Sequence, residues 1–372
     1  MINIFGPINH LGYGTHTYNI IKALSKKTQV CLIPIEQIQL DESMREVIDM
    51  TNKRDLFSVK NPSLFIFHEP EAVKYCGTPA LAYSIFETDV VNNVSAHILE
   101  HGPTDKVLTT TKKHKEILEK FITKEIHVVH EGIDPEIFNT QNSYKMIDTG
   151  KLTFITVGKN EKRKNTSKII KTFIENFQYE EVALICHTFN PFIQNKDITK
   201  YSLIDPGKYG FTYSNINNSI HKFSNGICDI YFTPYNIPTP QMNSLYHSAN
   251  VGIQVSSGEG WDLPLVELMA CGLPCIASNC LGHSEYLEDE NLPQIQQDLI
   301  IQPSGLELAN DGHWFKGNQG SWSVIEENDI KTKIKHVIDN KNKYINKHLG
   351  LSEYIINNYN WDLAAEQIIN IF

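Results

Sequence analysis

Apolar residues along this chain fall into short runs, each closed by glycine, proline or a charged group. Residues 2–5, 30–35, 63–67, 81–86, 106–110 and 126–129 read as strands, and 17–24 and 112–120 carry helical spacing. Short apolar runs that alternate with amphipathic helices imply parallel strands covered on both faces. The stretch 141–151 is polar and apolar-poor, as a linker is. Beyond it the pattern starts again. Strands are predicted at 152–157, 182–187, 227–232, 252–256 and 275–278, and helices at 166–177, 264–271, 329–338, 352–358 and 361–372. No internal repeat is visible, so the chain reads as two α/β halves in tandem.

Bulk composition narrows the class without naming the chemistry. A length of 372 residues suits two domains of ordinary size, and 41% hydrophobic with 10% aromatic residues is enough for real cores. The opening MINIFGPINH has no basic leader and no long apolar run, so no signal peptide is expected. No stretch approaches the roughly 18 apolar residues of a membrane helix. Seven cysteines (Cys31, Cys76, Cys186, Cys228, Cys271, Cys275 and Cys280) show neither metal nor disulfide spacing, which suits a reduced, cytoplasmic compartment. A net charge of −10 disfavours a large nucleic-acid footprint and leaves room for a local basic patch.

The most informative stretch is 251–278, VGIQVSSGEGWDLPLVELMACGLPCIAS. A strand meets a turn with Gly258 and Gly260, and Pro264 suits the first position of a helix that Gly272 and Pro274 close. A glycine turn opening a helix offers free N–H groups and a positive dipole end to a phosphate. Two carboxylates lie inside, Glu259 in the turn and Glu267 about one turn into the helix. A structural βαβ unit with solvated glutamates is the plain alternative. The Glu-x7-Glu spacing, with its flanking Gly-Trp, Leu-Pro-Leu, Glu-Leu-Met-Ala and Gly-Leu-Pro, resembles the nucleotide-sugar site of retaining glycosyltransferases of the GT-B fold, family 4. That resemblance covers nearly the whole chain and is sharpest over 244–287. It implies an α/β chain of two Rossmann-like domains facing a cleft: 1–148 on the acceptor side, 149–355 on the nucleotide-sugar side, and 356–372 as a helix crossing back to the first.

In the first half, a loop with Gly12 and Gly14 joins strand to helix, but a third glycine of the dinucleotide pattern is missing. The resemblance implies that this loop approaches the donor phosphates or the acceptor; a simple tight turn is the alternative. His68, Glu69, Glu87 and Asp89 follow the carboxyl ends of predicted strands, where side chains point into a ligand crevice. We place His68 and Asp89 on the acceptor side, with an ordinary loop histidine as the other reading of His68. Many family members carry a histidine where Glu87 stands, so Glu87 either takes that role or the role is absent. The segment HEGIDPEIF resembles the family's Asn-Gly-Val-Asp crossover, with Glu131 in place of asparagine.

In the second half, Gly158 precedes Lys159, Lys162, Arg163 and Lys164, just ahead of a helix opening near 166. Cations at a glycine turn and a helix N-terminus suit a diphosphate, and a guanidinium beside an ammonium suits an oxygen that gains charge as a sugar leaves. A solvated basic turn is the alternative. In the resemblance, Lys159 replaces an arginine that holds the diphosphate, and Arg163-Lys164 match the second cation. Glu267 would take the ribose diol, since a carboxylate accepts two O–H bonds at once. Glu259 would sit at the donor sugar, Gly258, Gly260 and Trp261 would give backbone donors around it, and Leu263 and His187 would line the donor site. Gly282, Ser284 and Glu285 resemble the family's Gly-x-x-Glu. Residues 311–322 form a glycine-rich loop with Trp314 and Trp322 and no catalytic spacing.

The catalytic set expected is therefore Glu259, Arg163, Lys164 and Glu87. The co-substrate is a nucleoside-diphosphate sugar, the partner a hydroxyl acceptor, and no Asp-x-Asp triplet occurs, so no essential metal is expected. Retention in this class lets the leaving phosphate deprotonate the incoming hydroxyl. A nucleotide-sugar-binding protein of weakened activity fits the departures at Lys159 and Glu87, and a sugar-nucleotide epimerase or phosphorylase on the same fold is a third reading.

Overall fold

The strand Ile2–Gly6 is buried at every position, as a strand covered on both faces must be. In the computed structural model, which describes residues 1–39, 42–74, 77–141, 144–189, 205–216, 220–233 and 237–372, it lies inside a six-stranded sheet. The order is Val30–Pro34, Ile2–Gly6, Ser63–Phe65, Ala80–Ser84, Lys106–Thr109 and Ile126–Val128, with every pair parallel. A second, eight-stranded sheet runs Ile300–Ile301, Cys275–Ser278, Val251–Gln254, Leu152–Lys159, Val182–Phe189, Asp229–Phe232, His221–Ser224 and Thr212–Asn215. Only its last two strands turn antiparallel. Cys76 and residues 142–143 of the expected linker lie outside the described residues. The other six cysteines are free, buried thiols.

Most expected elements are present, and the differences have physical causes. The first helix is Gly12–Ser25 and starts at Gly12 rather than at 17. Both glycines are therefore helical, against their propensity. One tertiary and one local contact hold that first turn: the Tyr13 hydroxyl donates to the Ile85 carbonyl at 3.0 Å, and Asn9 Oδ1 accepts from the Leu11 N–H at 2.9 Å. The stretch 311–322 is not all loop. Gly305–Leu308 and Ser321–Val324 form a hairpin, and Trp322 sits on its second strand. The helices Arg45–Thr51 and Asn93–His101 are too short and mixed in pattern to stand out in sequence.

The halves are docked through specific bonds. Thr110 donates to the Gly260 carbonyl at 2.6 Å, and Glu285 accepts from the Lys112 N–H at 2.7 Å at the start of the helix Lys112–Leu118. An anion there complements the helix dipole. Trp261 packs on Tyr286, Tyr359 and His130, so one apolar cluster continues through both halves. The last helix, Trp361–Ile371, returns to pack on Gly12–Ser25. Gly132 makes that return possible: a Cβ there would lie 2.3 Å from the Asn360 backbone carbon. The ion pairs Lys26–Asp362 and Lys27–Glu366 decorate this contact at the surface and contribute little. Among the described residues no helix is long and apolar enough to cross a membrane.

Candidate active site

Two adjacent parallel strands, Leu152–Lys159 and Val251–Gln254, end side by side and each runs into a polar turn. After the first comes the tight turn Lys162–Lys164, then Asn165 in the left-handed region (φ 55°), then the helix Thr166–Phe177. Asn165 ties this turn to its neighbour by donating to the Val255 carbonyl at 2.8 Å and to Ser257 Oγ at 3.0 Å. The Ser257 N–H in turn donates to the Arg163 carbonyl at 2.8 Å. The basic turn and the glycine turn are thus bolted together by their backbones.

Their charges converge on one oxygen. Arg163 Nη1 and Lys164 Nζ each lie 2.7 Å from Glu259 Oε1. All three side chains are almost wholly buried. Arg163 Nη1 also donates to the Gly258 carbonyl at 2.6 Å, and Nη2 faces Glu161 at 3.3 Å and Glu87 at 3.7 Å. Lys164 Nζ reaches Asp262 Oδ1 at 3.3 Å. Burial alone would favour neutral groups, but the opposite charges win. Arg163 and Lys164 hold the Glu259 carboxyl well below the usual range, and both cations are pushed above theirs.

Glu267 lies on the next helix, Leu263–Ala270, and is held differently. Among the described residues no cation pairs with it; the Tyr246 hydroxyl donates to Oε2 at 2.6 Å. Burial, with the charges of Asp262 and Glu131 adding to it, raises its pKa to about 7 despite the Tyr246 bond. Leu263 opens this helix and is buried. His187 is buried on the strand Val182–Phe189, with Nδ1 2.7 Å from Thr233 Oγ1, and burial lowers its pKa to about 4.

Several residues sit elsewhere than the sequence suggests. A Cβ on Gly258 would lie 2.2 Å from the Glu87 carbonyl oxygen, and one on Gly260 would lie 2.3 Å from Ile85. These glycines let the two halves close on each other, which is the packing reason for them. Trp261 is 2% exposed and its ring belongs to the core between the halves, so only its backbone is left to serve as a donor. Asp89 Oδ1 accepts from the Ser321 N–H at 2.6 Å, so its carboxylate pins the hairpin of the second half. Glu69 turns inward to accept from Ser84 at 2.7 Å and Ser95 at 3.2 Å. Gly14 is pressed on Asn9, whereas a Cβ on Gly12 would meet nothing within 4 Å. His68 stays exposed beside the Tyr13 ring, and Glu87 keeps a 36% exposed side chain near Arg163. Lys159 pairs with Glu161 at 2.8 Å, at the end of its strand.

The sequence reading missed Asp262, His283, Tyr246 and Glu161. Asp262 occupies the usual N-cap position before a helix, which was a usable signal, but it has φ 77° and makes no cap bond. Nothing local marks His283. Among the described residues no three His, Cys, Asp or Glu side chains cluster as metal ligands do.

Residues 168–310 match the family model described as glycosyl transferases group 1. The chain is similar in structure to sucrose-phosphate synthase from Thermosynechococcus elongatus, at 14% identity and TM-score 0.65, covering 100% of this chain and 97% of that one. It is also similar to the Anabaena HepE protein in complex with UDP-glucose, at 12% identity and TM-score 0.67, covering 100% and 99%. A trehalose-6-phosphate structure from E. coli bound with UDP-2-fluoro glucose matches at 10% identity and TM-score 0.66, covering 100% and 98%. No curated protein sequence matches the chain. The matched segment carries the glycine turn and the Glu259–Glu267 helix and is similar to group 1 glycosyl transferases, and with both sheets in place around it the chain has the GT-B fold.

Proposed function

We propose that this chain is a glycosyltransferase that moves a sugar from a nucleoside-diphosphate sugar to a hydroxyl acceptor with retention at the anomeric carbon, as a family 4 enzyme does. The observation that carries the reading is the meeting of Arg163 Nη1 and Lys164 Nζ at 2.7 Å on one Glu259 oxygen, ahead of the helix that starts at Thr166. In the free protein Glu259 sits between both cations, and Asp262, Glu161 and Glu87 complete the balance of charge. A diphosphate brings its own negative oxygens, takes the two cations, and leaves Glu259 to accept from the hydroxyls of the donor sugar. Glu267, free of any cation, accepts from the ribose diol. As the glycosidic bond breaks, charge grows on the β-phosphate, where Arg163 and Lys164 stabilise it selectively. The phosphate oxygen then takes the proton of the incoming hydroxyl on the same face.

The division of labour follows. Residues 1–148 would carry the acceptor, with His68 and Glu87 on its wall, residues 149–355 the donor, and 356–372 would tie the two. The acceptor would be a hydroxyl of a glycan, a lipid-linked glycan, a small molecule or a modified base. The free buried cysteines suit a cytoplasmic protein. UDP-sugars are the first donors to try, because two structural neighbours were solved with them.

The test is a thermal-shift panel over UDP-, GDP-, ADP- and CDP-sugars, followed by turnover of the stabilising donor with and without acceptors, in EDTA. Retention predicts an α-linked product from an α-linked donor, read by NMR; a β-linked product overturns it. Donor binding with neither transfer nor hydrolysis would make the chain a binding protein instead. Activity lost in EDTA and restored by Mn²⁺ would overturn the metal-free mechanism.

A further inference from the structure

Behind Lys164 lies a second, wholly buried ion pair that the reading above does not use. Asp262 Oδ2 is 3.0 Å from His283 Nε2, and its Oδ1 is 3.3 Å from Lys164 Nζ. The other ring nitrogen, His283 Nδ1, lies 2.8 Å from the Ser278 carbonyl. A carbonyl only accepts, so Nδ1 carries a proton. A bare Nε2 would then turn its lone pair on a carboxylate, so Nε2 carries one too. Around the ring stand Asp262, the Cys280 sulfur at 3.6 Å from Nδ1 and the Tyr286 ring at 6.0 Å. Burial opposes a charge here; Cys280 and Asp262 outweigh it and raise the pKa well above that of ordinary histidine.

The backbone has been bent to make this contact. Asp262 has φ 77°, one of three non-glycine residues in the left-handed region among those described. Such a conformation is costly unless its surroundings over-determine it. No cap bond compensates, since the Asp262 side chain does not cap the helix that follows. What it does make is the bridge from His283 to Lys164.

Resting on the proposed diphosphate site, we infer that Asp262 and His283 are a positioning couple that keeps Lys164 in place when the donor replaces Glu259. In the free protein Lys164 has two anionic neighbours, Glu259 at 2.7 Å and Asp262 at 3.3 Å. Donor binding draws Glu259 off towards the sugar. Asp262 then remains as the fixed anchor, and His283 fixes Asp262 in turn, its own ring being locked on the Ser278 carbonyl. Without the couple a four-carbon side chain would wander as the leaving group gains charge, and misplacement at that moment costs rate.

The decisive variant is Asp262→Gly. Glycine adopts φ 77° freely, so the turn survives while both ion pairs go. The expected result is a fall of about tenfold or more in kcat and a donor KM within about twofold, with a lower Tm because the buried His283 and Lys164 lose their shared anion. Asp262→Asn keeps the shape and one acceptor oxygen and should recover part of the loss. His283→Asn should mimic Asp262→Gly, and the double variant should lose no more than either single one, because the pair acts as one unit. Kinetics within twofold of wild type for Asp262→Gly would overturn the couple. So would a rise in KM with kcat unchanged, or losses that add in the double variant. A wild-type chain that neither transfers nor hydrolyses any nucleotide sugar would instead defeat the reading of the site itself, and the couple's role with it.

Discussion

The two walls of the cleft are built on opposite plans. On the second-half wall the central charges are buried and share partners: Glu259 between Arg163 and Lys164, Asp262 between Lys164 and His283. On the first-half wall His68 is exposed, Glu87 is partly exposed, and Asp89 is spent on the backbone of Ser321. A buried network with redundant partners is pre-organised, which is what binding and stabilising a diphosphate requires. An open wall with few fixed groups leaves its specificity to whatever acceptor arrives.

That contrast can be broken most directly at Lys164. Lys164→Ala should cut kcat by about 10²–10³, the scale for losing one preorganised electrostatic donor, with a smaller change in donor KM. Glu87→Gln, on the other wall, should cost less than about tenfold. Equal losses would erase the distinction. Glu267→Ala should weaken sugar-nucleotide affinity about tenfold to a hundredfold, because a charged hydrogen bond of about 1.5–3 kcal/mol is lost. Unchanged affinity by calorimetry would remove Glu267 from the ribose.

The same residue sharpens the comparison through pH. Its pKa is raised to about 7, so the ionised form is dominant above that value and is lost as pH falls through it. If only the carboxylate holds the diol, affinity for a UDP-sugar should drop about tenfold from pH 8 to pH 6. The donor itself does not titrate there. Glu267→Gln should flatten the curve; a wild-type curve that is flat already would contradict the assignment. Glu259, held far below neutrality, should add nothing in this range.

The smallest effects separate the glycines. Gly258→Ala drives a methyl into the Glu87 carbonyl oxygen at 2.2 Å and should cost about 1–3 kcal/mol of stability, since backbone cannot step aside cheaply. Gly12→Ala meets open space at a helix start and should be neutral or gain up to about 1 kcal/mol, with kinetics unchanged. A Gly12→Ala variant that loses donor binding would return the phosphate site to the first half.

The proposed donor wall was legible because its parts are local. The glycine turn, Pro264 and the two glutamates occupy one strand–turn–helix–strand unit, and Arg163 and Lys164 sit at the matching turn of the adjacent parallel strand. Apolar period and turn chemistry place such residues at strand ends without knowledge of the rest of the fold. The helix Thr166–Phe177 and the strand Cys275–Ser278 have the bounds that their pattern implies. The first helix does not, because Tyr13 and Asn9 decide its start through contacts remote in sequence or off the helix.

By itself, then, the sequence determined the two α/β halves, the Glu259–Glu267 unit and the basic turn, since period, caps and charge act over a few residues. Only the tertiary structure decided that Gly258, Gly260 and Trp261 serve the closure of the halves, that Asp89 and Glu69 are bonded away from the cleft, and that Asp262 and His283 stand behind Lys164. Those outcomes depend on which backbone atom comes within about 3 Å of which side chain across the halves or across strands, and no local pattern encodes that distance.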